Sequence, residues 1–87
     1  MPIEVEFFGI PRQRAGVERT SAEAVRLGDV LVDLEQRFPG LAESCLRNGQ
    51  LQKGVVVNLR GERFVSDPDT ELNDGDAILI LSADAGG

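Results

Sequence analysis

The stretch LNDGDAILILSADAGG, residues 72–87, decides how the rest of the chain is read. Asn73, Asp74, Gly75 and Asp76 are turn-forming residues, and each favours a sharp reversal. The run from Ala77 to Leu81 that follows is apolar on both faces, as a strand in the middle of a sheet requires. Successive strand side chains point to opposite faces. If Ile78 and Ile80 face a helix, Leu79 and Leu81 face away from it. The strand is followed by Ser82-Ala83-Asp84-Ala85 and then by Gly86-Gly87. A central strand leading into a small-residue segment predicts a rigid base carrying a short tail. We expect a folded unit over residues 1–82 and a flexible tail over 83–87.

The remaining segments supply the partners that such a strand needs. IEVEFF, residues 3–8, places Ile3, Val5 and Phe7 on one face and Glu4, Glu6 and Phe8 on the other, so it predicts a half-buried strand. GIPRQRAG, residues 9–16, holds two glycines and a proline and is expected to be a loop. A second strand is expected between Val17 and Val25. In LGDVLVDLEQRFPG, residues 27–40, Val30, Leu31, Leu34 and Phe38 recur at helical spacing, and Pro39-Gly40 is expected to stop the helix. Asp29 near its start and Arg37 near its end suit the helix dipole. LAESCLRNG, residues 41–49, is expected to add a short helical turn closed by Asn48-Gly49. GVVVN, residues 54–58, reads as a third strand, with a tight turn at Arg60-Gly61 and a short fourth strand around Arg63 to Val65. The expected fold class is therefore α+β: a roll with a mixed sheet of about five strands and one main helix across one face.

Composition narrows the function classes. The chain has 87 residues, one domain's worth, with 41% hydrophobic residues. Fifteen acids against nine bases give a net charge of −6. That balance argues against a general nucleic-acid binder, which needs a basic face to neutralise phosphates. There is no histidine, tyrosine or tryptophan, hence no imidazole base and no histidine ligand for a metal. No metal site is expected. DPDTELNDGD, residues 67–76, superficially looks like a calcium loop, but Leu72 occupies the position where such a loop needs glycine. Cys45 is the sole cysteine, so no disulfide forms within the chain. A small packed hydrophobe is its expected role. No leader or membrane-spanning run is recognisable, and a cytoplasmic location is expected. Arg12, Arg14 and Arg19 lie in and after the first loop and are expected to be solvated. Lys53 is the only lysine.

Three stretches together resemble the MoaD/ThiS sulfur carriers, ubiquitin-like β-grasp proteins. They are VEFFGIPRQRAGV, LGDVLVDLEQRFPGL, and the VVVN, LNDGDAILIL and AGG segments of the final third. The first stretch and the length look most like small subunits of molybdopterin synthase. The middle, FPGLAESCLRNGQLQKGVVVN, also looks like the carriers of cysteine synthesis and the archaeal ubiquitin-like modifiers. Many relatives carry one or two prolines after the last strand, where this chain has Ser82-Ala83.

The resemblance implies that the chain is a carrier and not itself an enzyme. An E1-like enzyme would adenylate the Gly87 carboxylate with ATP, and the adenylate would become a thiocarboxylate. The sulfur would then pass to an acceptor enzyme such as the large subunit of molybdopterin synthase. No cofactor is expected on the chain, and neither nucleic acid nor membrane among its partners. Gly86 and Gly87, without Cβ atoms, would thread a narrow cleft, and no processing step is expected before Gly87. Phe8, Val56, Leu79 and Leu81, with Ala85 of the tail, are the expected partner contacts. Other acceptors (cysteine, thiamine or a thio-sugar) and a protein-modifier role are alternatives. A third is a plain interaction module in which the tail is inert.

Overall fold

The computed structural model describes residues 1–83. Its elements run β1 (Ile3–Phe8), α1 (Ile10–Ala15), β2 (Arg19–Ala22), α2 (Leu27–Arg37), a 3-10 turn (Pro39–Glu43), β3 (Leu46–Arg47), β4 (Gln50–Leu51), β5 (Val55–Leu59), β6 (Arg63–Val65) and β7 (Ala77–Ser82). Five strands form one mixed sheet in the order β2-β1-β7-β5-β6. β7 lies in the middle, parallel to β1 and antiparallel to β5. The last strand has a neighbour on each edge, and its two apolar faces differ in burial, one buried in the core and the other partly exposed.

One face of the sheet carries the core. Ile3, Val5 and Phe7 of β1, Val57 and Leu59 of β5, and Ile78 and Ile80 of β7 are buried there with Leu27, Val30, Leu31 and Leu34 of α2. Phe38, just beyond α2, meets Phe7 edge-on with ring centroids 5.9 Å apart, a favoured aromatic geometry. Arg37 ties the helix to the edge strand β2. It donates to the Thr20 hydroxyl (2.9 Å), the Ser21 carbonyl (2.7 Å) and the Asp33 carboxylate (3.0 Å). Cys45 is fully buried, and burial pushes its thiol pKa up, as for a packed hydrophobe and not for a reactive thiolate.

Two segments differ from the expectation. Residues 10–15 form the helix α1 where a loop is expected. Pro11 lies in its first turn, where the ring's fixed φ suits a helix and the missing N–H is no loss. Gly16 ends it in the left-handed conformation with φ 79° and donates its N–H to the Arg12 carbonyl. The proline and glycines are thus helix start and stop signals. The second difference is at Asn48-Gly49, which closes a β3-β4 hairpin, not a helical turn: Arg47 pairs with Gln50 and Leu46 with Leu51. Asn48 and Gly49 both have positive φ, 53° and 74°, the pattern that makes Asn-Gly the strongest short hairpin signal. The 3-10 turn itself is confined to Pro39–Glu43. The second strand is shorter than its expected window, four residues at Arg19–Ala22.

Among the described residues no helix is long and apolar enough to cross a membrane.

Candidate functional site: the open face of the sheet beside the end of β7

Among the described residues, no layer covers the face of the sheet opposite α2. Its residues are fixed by parity: Glu4, Glu6 and Phe8 on β1, Leu79 and Leu81 on β7, Val56 and Asn58 on β5, and Phe64 on β6. Register sorts them into rows across the strands. At the start of β7 the row holds Glu4 opposite Ala77. The middle row runs Glu6, Leu79, Asn58, Phe64. At the end of β7, Phe8 sits opposite Leu81, which sits opposite Val56. The row nearest the start of the tail is therefore entirely apolar, and polarity rises toward the other end. All four sequence-expected contact residues in the described region come together here. Phe8 is 47% exposed, and Leu79, Leu81 and Val56 are partly so. Ala85, Gly86 and Gly87 lie outside the described residues.

Phe64 is a member of this face that the sequence reading missed. It is 67% exposed, and its cross-strand partner is Asn58. The signal was present: with Val65 packed inward, parity sends Phe64 outward. Beside it a shallow hollow of about 210 Å³ is lined by Leu51, Val55, Val56, Phe64, Val65 and Ser66. This extends the apolar surface from the middle of the sheet to its edge.

The two ends of β7 are anchored differently. At its start, Asp76 accepts Arg60 Nε at 2.7 Å, Arg60 Nη2 at 3.0 Å and the Asn73 N–H at 2.7 Å. The bidentate guanidinium, then the Asn73 N–H, hold the Asp76 carboxyl below the usual aspartate range against the opposing effect of burial. The Arg60 N–H donates to the Ala77 carbonyl, and the Asp76 carbonyl accepts the Glu4 N–H, both at 2.8 Å. Gly75, with φ 80°, occupies the third position of the Asn73–Asp76 turn, where a type II turn needs positive φ. At the far end, among the described residues, Ser82 pairs with Val55, and the Ala83 N–H donates to the Gly54 carbonyl at 2.7 Å. The strand is thus clamped by a side-chain ion pair where it enters the sheet, and its described bonds at the other end are backbone ones.

The other marked residues form no second site. Arg12, Arg14 and Arg19 each pair at the surface, with Glu18, Glu43 and Glu6 respectively. Among the described residues no group of three or more cysteine or carboxylate side chains is placed to hold a metal ion. What this arrangement offers is a rigid, partly apolar surface at the end of β7, with no cysteine among the described residues of that face.

Residues 5–87 match the model of the ThiS family. The chain is 33% identical to small archaeal modifier protein 3 of Haloferax volcanii, over the full length of both. It is equally similar to the sulfur carrier protein CysO of Mycobacterium tuberculosis, again over all of both chains. Among solved structures, the Amycolatopsis orientalis BexX/CysO complex matches with a TM-score of 0.78 at 25% identity, covering 98% of this chain and 99% of the matched one. The complex of subunits 1 and 2 of the molybdopterin-converting factor from Helicobacter pylori matches with a TM-score of 0.65 at 26% identity, covering 94% and 93%. Sheet order, helix placement and the family match over residues 5–87 agree, and the chain belongs to the ThiS/MoaD-type family of ubiquitin-like sulfur carriers.

Proposed function

We propose that this chain carries sulfur as a thiocarboxylate on Gly87. An E1-like partner adenylates the Gly87 carboxylate with ATP, a sulfur donor displaces AMP, and an acceptor enzyme takes the sulfur while seated on the open face of the sheet. The observation that carries this reading is the apolar row Phe8, Leu81, Val56 at the end of β7 from which residues 83–87 continue. A partner gripping that row sits where it can also receive the tail. The chain contributes a rigid platform and a reactive end, and the partners contribute catalysis. A reaction that draws on ATP supports a cytoplasmic setting. Molybdopterin synthesis is the acceptor pathway this reading favours, supported by the likeness to a molybdopterin-converting factor subunit seen in complex with its second subunit. The 33% likeness to a sulfur carrier protein supports the same chemistry with a different acceptor.

The experiment is intact-protein mass spectrometry after incubation with ATP, an E1-like enzyme of the same organism and a sulfide source. The expected result is exchange of one oxygen for sulfur, mapped to Gly87 and absent without ATP. An unchanged mass, with the same enzyme shown to activate another carrier, overturns the reading. A second reading, a protein modifier joined to target lysines, is favoured by the likeness to small archaeal modifier protein 3. Conjugates that disappear when Gly86 and Gly87 are deleted would establish it.

A further inference from the structure

Asn48 and Gly49 are the turn residues of the β3-β4 hairpin, and the fold leaves little choice at either position. Both have positive φ, 53° and 74°, which asparagine and glycine tolerate best. At Gly49 there is also no room for a side chain, since a Cβ there would lie 2.6 Å from Cγ2 of Val32 on α2. The turn therefore selects Asn-Gly. In that dipeptide the asparagine side chain is most open to attack by the next backbone nitrogen, because glycine puts no Cβ in the way. Of the three asparagines, Asn48, Asn58 and Asn73, only Asn48 precedes glycine, and it is exposed. Across from the turn, Glu35 of α2 accepts the Asn48 N–H on one carboxylate oxygen at 3.3 Å and the Gly49 N–H on the other at 3.0 Å. The nitrogen that would attack is the one that Glu35 holds.

We infer that Asn48 is a site of spontaneous deamidation that the Glu35 carboxylate holds closed in the folded chain. Deamidation needs the Gly49 nitrogen to give up its proton to hydroxide and attack Asn48 Cγ. A nitrogen–carbon bond forms, the bond from Cγ to the side-chain nitrogen breaks, and ammonia leaves with a proton from water. Water then opens the cyclic imide at either carbonyl, leaving an aspartyl or isoaspartyl residue at position 48. Glu35 opposes both early events. Removing the Gly49 proton would set a second negative charge 3.0 Å from the carboxylate oxygen in part-buried surroundings, where like charges repel strongly. Ring closure would also swing the Gly49 nitrogen toward the Asn48 side chain, out of the turn geometry that the two bonds hold. The restraint is local. The base of the hairpin is held by Gln52, whose side-chain amide donates to the carbonyls of Ala42 and Leu46 at 3.1 and 2.9 Å. Loss of Glu35 therefore frees the turn and leaves the base of the hairpin in place.

This protection is independent of the carrier reading, and testing it needs no partner. The full chain is incubated in mildly alkaline buffer and its peptides are mapped by mass spectrometry for the amide-to-acid change at each asparagine. In denaturing guanidinium chloride the parent should deamidate faster at Asn48 than at Asn58 or Asn73. In native buffer the Asn48 rate should fall by about tenfold or more, as for a site reached only through local opening. Glu35→Ala should raise the native rate by about tenfold, the worth of a hydrogen bond to a charged group, while circular dichroism shows the fold retained. Glu35→Gln keeps an acceptor without the charge. It should be faster than the parent and slower than the alanine variant, and it decides the matter if the alanine chain does not fold. In denaturant all three chains should react alike. Three results would overturn the inference. One is a folded Glu35 variant whose Asn48 rate matches the parent's. Another is a parent faster than either variant, which would make the carboxylate a base for the reaction. The last is an equal rise in Ile80→Ala, which would trace the effect to global unfolding.

Discussion

Ile80 and Leu81 are adjacent, isomeric, and on the same strand, yet the fold uses them in opposite ways. Ile80 is fully buried under α2, whereas Leu81 is partly exposed between Phe8 and Val56 on the open face. The difference is one of parity. A strand with a helix on only one side must divide its apolar side chains between a covered and an uncovered face. In this chain the uncovered half is concentrated at the end of β7 where the tail begins. The inner face supports stability, and the outer face is free to support recognition.

The largest expected effect breaks the inner face. Ile80→Ala should cost about 3 kcal/mol, through lost burial plus the cavity left in a close-packed core, read as a lower denaturant midpoint at unchanged slope. Leu81→Asp should act on the other side of the comparison. We expect binding to the activating or acceptor partner to weaken tenfold or more, as for a residue central to an interface, while the chain still folds. Titration calorimetry with partner and variant checks this; equal affinity for variant and parent would show that the open face is not the docking site.

A third prediction compares the two ends of β7. Asp76 has a lowered pKa in the fold, so the unfolded chain binds its proton more readily. The stabilisation is complete above the ordinary aspartate value and is lost as pH falls through about 4 and below. Asp76→Asn should flatten this part of the acid-unfolding curve by less than one proton's worth of slope. A curve superimposable on the parent's would mean that the Arg60 clamp does not persist in solution. The smallest effect on stability is expected for Phe64→Ser, within about 0.5 kcal/mol, since the ring is largely exposed. A loss of partner affinity in that variant would extend the docking face to the sheet edge, and unchanged affinity would confine it to the end of β7.

Much of this organisation was legible residue by residue. The inward trio Ile3, Val5 and Phe7, the helical spacing of Val30, Leu31, Leu34 and Phe38, and the central position of the last strand all follow from side-chain periodicity, which depends only on local backbone geometry. The readings that failed involve short elements with competing signals. Pro11 and Gly16 fit both a loop and a one-and-a-half-turn helix, and α1 is decided by burial of Pro11 and by close packing against the 3-10 turn at Pro39–Glu43. A Cβ on Gly40 would meet the Arg14 carbonyl oxygen. Asn48-Gly49 has the Asn-Gly signature of a hairpin, but its strands are only two residues long, too short for alternation to show.

By itself the sequence determined the strands of the main sheet, the main helix, the turn before β7 and the diglycine that links the chain to its family, because each rests on neighbours within a few residues. The tertiary structure decided which distant segments share a face. It brought Phe8, Leu81 and Val56 into one row and added Phe64 at the edge. Those placements depend on strand order and register, which only the packing of the whole chain around one core can fix.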